Sequence, residues 1–280
     1  MNGEESIDRA TRLIREADAL LIGAGAGMGV DSGLPDFRGA HGFWRAYPAL
    51  GRAEISFKEI ASPATFRSNP RLAWGFYGHR LALYRNTIPH DGFRLLREIG
   101  ERLEHGAFVF TSNVDGQYQA AGFYDARVCE CHGSLHYLQC MESCTEDSWP
   151  ADALVPEVDT DLCRLTSALP SCPHCGAMAR PNALMFNDLM WNSARSDAQA
   201  AALKHWLTQV KRLVVIELGA GKDVPSVRHF CEDQRRPLIR INPRESKLGN
   251  AKGVGLAMGA LEALTRIAGL PEADLPAGPE

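Results

Sequence analysis

Gly23 to Gly39 reads GAGAGMGVDSGLPDFRG and follows the apolar run Ala19-Leu20-Leu21-Ile22. Such a run predicts a buried strand, so the glycines stand where the strand ends and a loop or helix begins. Glycine permits positive φ and close backbone approach, and the free N–H groups of a helix start attract an anion. The junction is therefore suited to phosphate, and hence to a nucleotide. A Gly-rich turn also serves as a plain tight connection between strand and helix. Leu34-Pro35-Asp36-Phe37-Arg38-Gly39 weighs against that alternative, because a Pro-fixed loop with an acid, an aromatic and an arginine side by side suits ligand handling.

Outward from this stretch, Ile7, Ala10, Leu13, Ile14 and Ala17 recur at helical spacing and predict a helix over 6–17 with Ser6 as its cap. Residues 40–105 carry many aromatics and no strand pattern. Leu72, Phe76, His79 and Leu83 predict a helical insertion there. Strands are predicted at 107–111 and 127–131, and both end in polar residues: Ser112-Asn113-Val114-Asp115-Gly116 after the first, His132-Gly133-Ser134 after the second. Cys-rich loops are expected over 135–179. Beyond them come Ala183-Leu184-Met185-Phe186, a helix over 198–210, strands over 213–218 and 237–242, a last helix around 256–267, and a Pro- and Gly-containing tail. Alternating strands and helices imply an α/β fold with a doubly wound parallel sheet. Ligands of such sheets bind beyond the carboxyl ends of the strands, so the polar strand ends and the Gly-rich loop converge on one crevice.

The 280 residues suffice for one large domain or two smaller ones. A formal net charge of −4, from interspersed charges of both signs, argues against broad binding to nucleic acid or a membrane surface. No apolar run nears the ~20 residues of a membrane span, and the acidic start Met1-Asn2-Gly3-Glu4-Glu5 is unlike a signal peptide, so a cytoplasmic protein is expected. In that compartment thiols stay free or bind metal, and the chain has eight cysteines. Cys140 and Cys144 form one close pair, Cys172 and Cys175 another, with Pro173, His174 and Gly176 making a knuckle-like turn. Four thiolates on two turns make a closed tetrahedral zinc site of structural type; scattered free cysteines are the alternative. Cys163 lies between the pairs without a close partner, Cys129 and Cys131 alternate as strand residues, and Cys231 has no assignment.

Taken together, these segments resemble the sirtuin family of NAD-dependent protein-lysine deacylases over residues 5–268. Gly25-Ala26-Gly27 with Ser32 to Arg38 resembles the family's cofactor loop, and Thr111 to Gly116 its TQNIDG. His132-Gly133-Ser134 resembles its HGS, the two cysteine pairs its zinc ribbon, and Pro181 to Asp188 its substrate-pairing strand. Gly219-Ala220-Gly221 is similar to its GTS and Ile241-Asn242 to its IN. The resemblance implies a Rossmann-like NAD-binding domain over 1–39, 106–134 and 180–270. It implies a smaller domain made of a helical module (40–105) and a zinc-ribbon module (135–179), with a tail over 271–280. NAD and an acyl-lysine protein substrate would meet between the two domains, with no membrane or direct nucleic-acid partner.

By resemblance the acyl oxygen attacks the nicotinamide ribose, nicotinamide leaves, and an alkylimidate forms. Water then finishes the transfer, and the products are lysine and O-acyl-ADP-ribose. His132 would be the general base, a role its side-chain type suits near neutrality, with a core histidine as the plain alternative. Asn113 and Asp115, if not mere turn residues, would orient the nicotinamide and ribose, and Asp36 would accept from the carboxamide. Phe37 would shield the ribose carbon and Arg38 would engage phosphate. The cofactor would also meet Gly25, Ala26, Gly27, Met28, Ser112, Gly219, Ala220, Gly221 and Asn242, and the substrate Phe186. Gly29, Ser112, Ala220-Gly221 and Asn187 depart from the family's Ser, Gln, Thr-Ser and Gly. The first three shorten or remove side chains near NAD, so weaker cofactor binding is expected, at roughly 0.5–1.5 kcal/mol per lost bond. Phe76 to Arg80 resembles the segment by which some sirtuins grip acidic acyl groups, with Tyr77 and Arg80 on one helical face; packing and a solvated helix end are the alternative. ADP-ribosyl transfer or NAD hydrolysis on the same fold, and a non-catalytic NAD-binding module, are the competing functions.

Overall fold

The computed structural model describes residues 3–36 and 39–269, with the backbone alone for 39–41. In chain order the strands are β1 (Ala19–Ala24), β2 (Ala107–Thr111), β3 (Val128–Glu130), β4 (Gly133–Cys140), β5 (Ser148–Pro150), β6 (Val158–Asp159), β7 (Arg164–Leu165), β8 (Ala179–Ala183), β9 (Leu213–Leu218), β10 (Leu238–Ile241) and β11 (Gly253–Leu256). The helices are α1 (Gly3–Arg15), α2 (Gly39–Ala46), α3 (Pro48–Arg52), α4 (Phe57–Ile60), α5 (Pro63–Ser68), α6 (Pro70–Asn86), α7 (Asp91–Glu101), α8 (Gln117–Ala120), α9 (Ala194–Leu207), α10 (Ser226–Asp233) and α11 (Ala260–Ala268).

Six strands form one parallel sheet in the order β11-β10-β9-β1-β2-β3. The chain leaves β1 toward β2 and β3, then returns to the other side of β1 through β9, β10 and β11. The direction reverses between β1 and β9, the place where open α/β sheets bind ligands. Every residue of β1 and β9 is buried, which is why β1 reads as a continuous apolar run and β9 as one broken only by Glu217. Successive residues face opposite layers. Leu20 and Ile22 meet Ala10 and Ile14 of α1, Phe93 and Leu96 of α7, and Leu264 of α11. Leu21 and Val215 meet Leu203 and Trp206 of α9 and Val227 and Cys231 of α10.

A separate core holds the second unit. Phe43, Phe66, Trp74, Phe76, Tyr77 and Leu81 from the helices between α2 and α6 pack with Leu135 and Leu138 of β4, Leu165 of β7, Ala179 of β8, and Met185. Helix α6 starts with Asn69 accepting from the Leu72 N–H and with Pro70 at its first position. It is buried on several sides, because the β6–β7 hairpin lies across it at Gly75 and Gly78. A β-carbon at Gly75 would stand 2.1 Å from the Cys163 carbonyl oxygen, and one at Gly78 would stand 2.8 Å from Pro156 Cβ. Three arginines fasten the same loop by its carbonyls: Arg52 to Asp161 at 2.7 Å, Arg71 to Leu165 and Ser167 at 2.8 and 3.0 Å, and Arg85 to Leu154 and Ala151 at 2.6 and 2.7 Å.

The α/β class, the doubly wound sheet and the smaller unit agree with expectation; several boundaries do not. The span 40–105 is too long for the helical module, since α7 packs on the sheet through Phe93, Leu95 and Leu96. The span 135–179 is not only loops: β4 is the centre of a three-stranded antiparallel sheet, β5-β4-β8. Residues 180–183 pair with β4 through β8 and so belong with that sheet rather than with the Rossmann-like one. The last predicted helix begins at Ala260, and Leu256, where the prediction started it, ends β11. The tail over 271–280 lies outside the described residues.

Candidate functional site

The reversal point is built by backbone fitting against backbone. Gly25 N–H donates to Leu218 O at 3.0 Å and Gly27 N–H to Gly219 O at 3.1 Å. A β-carbon on Gly25 would stand 2.8 Å from Ala220 Cα, and one on Gly27 would stand 2.7 Å from Gly219 Cα. Gly219 itself has φ 59°, in the left-handed region. The glycines of both loops are thus fixed first by their mutual approach. That approach leaves a side-chain-free floor beyond the ends of β1 and β9.

The loop after β2 is tied to this floor. Thr111 Oγ1 donates to Ala24 O at 2.9 Å and accepts from Asn113 N–H at 3.0 Å, while Asn113 Nδ2 donates to Gly25 O at 3.1 Å. Ser112 N–H reaches Ala24 O at 3.2 Å. Asp115 is buried and accepts from Gln117 N–H at 3.0 Å, opening α8. Burial pushes its carboxyl up to about 6, with Glu130 adding to the shift and the Gln117 N–H and Arg80 opposing it. His136 bonds the Asp115 carbonyl through Nε2 at 2.9 Å and packs against Gly116, whose φ is 70°.

His132 follows β3 and bonds the backbone of Ser112 in the loop after β2. Burial holds its imidazole below the ordinary value, against the pull of the Ser112 carbonyl, so the ring is neutral and able to take a proton at neutral pH. Its Nε2 lies 3.3 Å from Ser226 Oγ at the start of α10, and its carbonyl accepts from Leu184 N–H at 2.9 Å. The loop after β8 is shaped by a buried bidentate pair, Arg180 to Asp188 at 2.7 and 2.9 Å. Asp188 also accepts from the N–H groups of Met185 and Met190. Asn187 has φ 56°, a conformation that glycine takes freely and asparagine tolerates, which accounts for the departure at this position. Phe186 meets the Phe57 ring edge-on at 5.7 Å.

Tyr77 and Arg80 of α6 are both buried. Arg80 donates Nε and Nη2 to the Tyr84 hydroxyl at 2.9 and 2.6 Å, and its guanidinium lies 5.2, 5.8 and 5.3 Å from the ring centres of Phe76, Tyr77 and Tyr84. Burial pushes the Tyr77 phenol up to about 12 although Arg80 pulls it down. The pair is therefore a guanidinium in an aromatic box and not a solvated helix end.

Sγ of Cys140 and Cys175 lie 3.6 Å apart, as do those of Cys144 and Cys172, and all four fall within 4.8 Å of one another. A regular tetrahedron with Zn–S near 2.3 Å has edges of about 3.8 Å, so the thiols fit a closed zinc site. Cys163 is buried in the core beside α6, away from that cluster.

Some expected contacts change their meaning. The Met28 side chain is wholly buried in the sheet core and its carbonyl bonds His90, so it is withdrawn as a cofactor contact. Asn242 is also buried, holding Ala220 O at 3.1 Å and accepting from Arg244 and Glu245 N–H at 3.0 Å each. Ala26 begins a short 3₁₀ turn, Gly221 follows the buried Ala220, and Asp36 is half-buried at the loop's end. Phe37 and Arg38 lie outside the described residues. The sequence did not point to Tyr84, His136, Ser226 or Arg228. Glu217, a carboxylate inside the run Leu213-Val214-Val215-Ile216-Glu217-Leu218, was a usable clue to a buried polar network.

A sequence profile described as the Sir2 family matches residues 25–216. A protein of Thermococcus kodakarensis named NAD-dependent protein deacylase is 30% identical over 240 residues, covering 86% of each chain. One of the same name from Daphnia pulex is 30% identical over 204 residues, covering 65% of this chain and 68% of the relative. A solved Sir2 homologue bound to NAD superposes with TM-score 0.71 at 25% identity, covering 93% of this chain and 91% of the other.

Proposed function

The chain belongs to the Sir2, or sirtuin, family, and from that premise we propose that His132 is the general base of an NAD-dependent protein-lysine deacylase. The activity cleaves NAD, releases nicotinamide and, with the uptake of one water, transfers the acyl group of a modified lysine to ADP-ribose, leaving free lysine. NAD supplies the electrophilic ribose carbon and the acceptor hydroxyls when bound. The observation that carries the role of His132 is its placement. A partly buried imidazole, held neutral by desolvation, stands at the end of β3, beside a loop that Asn113 bonds to the Gly25 turn. There it accepts a proton from a ribose hydroxyl. Asn113 and Asp115 orient the nicotinamide end, and the Gly25–Gly27 and Gly219–Gly221 turns receive the phosphates through N–H groups. Zinc sits on Cys140, Cys144, Cys172 and Cys175. A closed thiolate site leaves no open position, so the metal is structural.

Among the described residues no helix is long and apolar enough to cross a membrane. We assign the chain to the cytoplasm on its thiol-rich composition, with eight cysteines, and acyl-lysine proteins as its partners. Arg80 in its aromatic box favours acyl groups ending in a carboxylate, such as succinyl or malonyl. Arg80→Met is expected to depress desuccinylation at least tenfold more than deacetylation, by the worth of a charge-assisted bond; equal loss on both would remove the carboxylate grip.

Mass spectrometry of purified protein with NAD and matched acetyl- and succinyl-lysine peptides, beside a His132→Ala control, tests the whole reading. Peptide-dependent nicotinamide and O-acyl-ADP-ribose, absent from the control, are expected. Nicotinamide release without deacylation would replace the reading by ADP-ribosyl transfer or NAD hydrolysis.

A further inference from the structure

Glu217 of β9 and Arg240 of β10 are register partners, and both are buried. Arg240 donates Nε and Nη2 to the two carboxylate oxygens at 2.7 and 2.8 Å, and Nη2 again to Glu232 at 2.6 Å. A forked pair of this kind already satisfies the Glu217 carboxylate. A second buried guanidinium nevertheless stands beside it. Arg228 of α10 lies 3.9 Å from Glu217 Oε1 and 3.6 Å from Glu245 Oε2. Its Nη2 donates to the carbonyl of Ala220 at 2.9 Å and to that of Glu245 at 3.2 Å.

Desolvating a guanidinium is costly, and an apolar side chain would cover the sheet from α10 at no such cost. The acids Glu217 and Glu245 offset the charge; what an apolar side chain cannot do is hold a carbonyl. That carbonyl is in the middle of the Gly219–Gly221 turn, and it takes a second donor from Asn242 Nδ2 at 3.1 Å. With Ala220 fixed by two donors and Gly219 wedged against Gly27, the turn has one orientation for its N–H groups.

Resting on the NAD-binding assignment above, we propose that Arg228 is a positioning residue for the NAD-binding loop: it fixes the Gly219–Gly221 turn from behind and stands in for the side-chain hydroxyls absent at Ala220 and Gly221. Glu232 lies one turn along α10 from Arg228 and shares the network through Arg240, but its side chain forms no ion pair with Arg228 and no hydrogen bond to the turn among the described residues, so it separates loop positioning from general support of the sheet.

Titration calorimetry with ADP-ribose, which needs no turnover, is the deciding experiment, with steady-state kinetics alongside. Arg228→Met is expected to weaken ADP-ribose on the order of tenfold and to raise KM for NAD in step, with kcat at saturating NAD and KM for the acyl-peptide within about twofold. Arg228→Lys, which keeps the charge on a single donor nitrogen, is expected to lose about threefold, and Glu232→Gln to stay within twofold. Unchanged ADP-ribose affinity in Arg228→Met, or equal weakening in Glu232→Gln, overturns the assignment while leaving the deacylase reading intact. Should the Met variant not fold, Arg228→Lys decides alone, since wild-type affinity in it overturns the proposal. A wild-type chain that takes no ADP-ribose overturns both.

Discussion

Asp115 is a buried carboxyl whose charge costs the fold. Its carboxyl titrates near 6 against an ordinary 3.8, because burial penalises the charge more than the Gln117 N–H and Arg80 relieve it. A carboxyl raised in the folded state favours folding fully below its unfolded value, and that contribution is lost as pH rises from about 4 to about 6. At neutral pH the ionised group therefore costs the fold roughly 1–3 kcal/mol. Asp115→Asn keeps an oxygen for the Gln117 N–H and removes the charge. Thermal melts at pH 7.5 are expected to show the variant more stable than wild type, with the gain vanishing at pH 4, while deacylation falls by orders of magnitude. A variant less stable than wild type at pH 7.5 would mean that the carboxylate is held by more than it loses. His132 has the opposite linkage, since its depressed imidazole keeps its stabilising contribution above the ordinary value and loses it as the medium acidifies.

At the scale of elements, α6 is decided by two glycines. In an exposed helix Gly→Ala gains up to about 1 kcal/mol, because glycine has the greater freedom to lose. At Gly75 the new methyl meets the Cys163 carbonyl at 2.1 Å, a backbone atom of a hairpin held by Arg52, Arg71 and Arg85. Overpacking against such a neighbour costs about 1–3 kcal/mol. Gly75→Ala is expected to lower the denaturation midpoint, whereas Gly42→Ala in α2, where nothing stands within 4 Å of the new carbon, is expected to raise it slightly. Parallel urea titrations read the sign of each change. A gain at both sites would show that the hairpin yields, and with it the argument that α6 and its Tyr77–Arg80 pair are held from the ribbon side.

For the molecule as a whole, what the sequence made legible followed from where each segment is buried. Strands β1 and β9 are covered on both faces, so β1 reads as an unbroken apolar run and β9 as one interrupted only by Glu217, while the polar residues after β2 and β3 stand at strand ends, where open sheets bind ligands. Periodicity tells which face of a helix is apolar but not which core it meets, so α7 was assigned to the wrong unit. Strands β4 and β8 hide among cysteines and polar residues, and β11 is four residues long with two glycines. Arg228 and Tyr84 act through carbonyls and hydroxyls brought together from distant segments, a relation no local pattern carries. The two units also differ in what holds them. The sheet is closed by its own helices, whereas the second core depends on a ribbon whose ends meet at four thiols. Structural zinc on such a ribbon contributes folding free energy to the unit it closes. Chelation at neutral pH is therefore expected to split one calorimetric transition into two, an early one from the α2–α6 core and a later one close to that of the loaded protein from the sheet. Trypsin should then cut first at Arg164, an exposed residue of the hairpin between the cysteine pairs, and zinc should restore both the single transition and the resistance. A stripped protein that still melts once at the original temperature would show that the arginine clamps and the packing of α6 hold the ribbon without its metal.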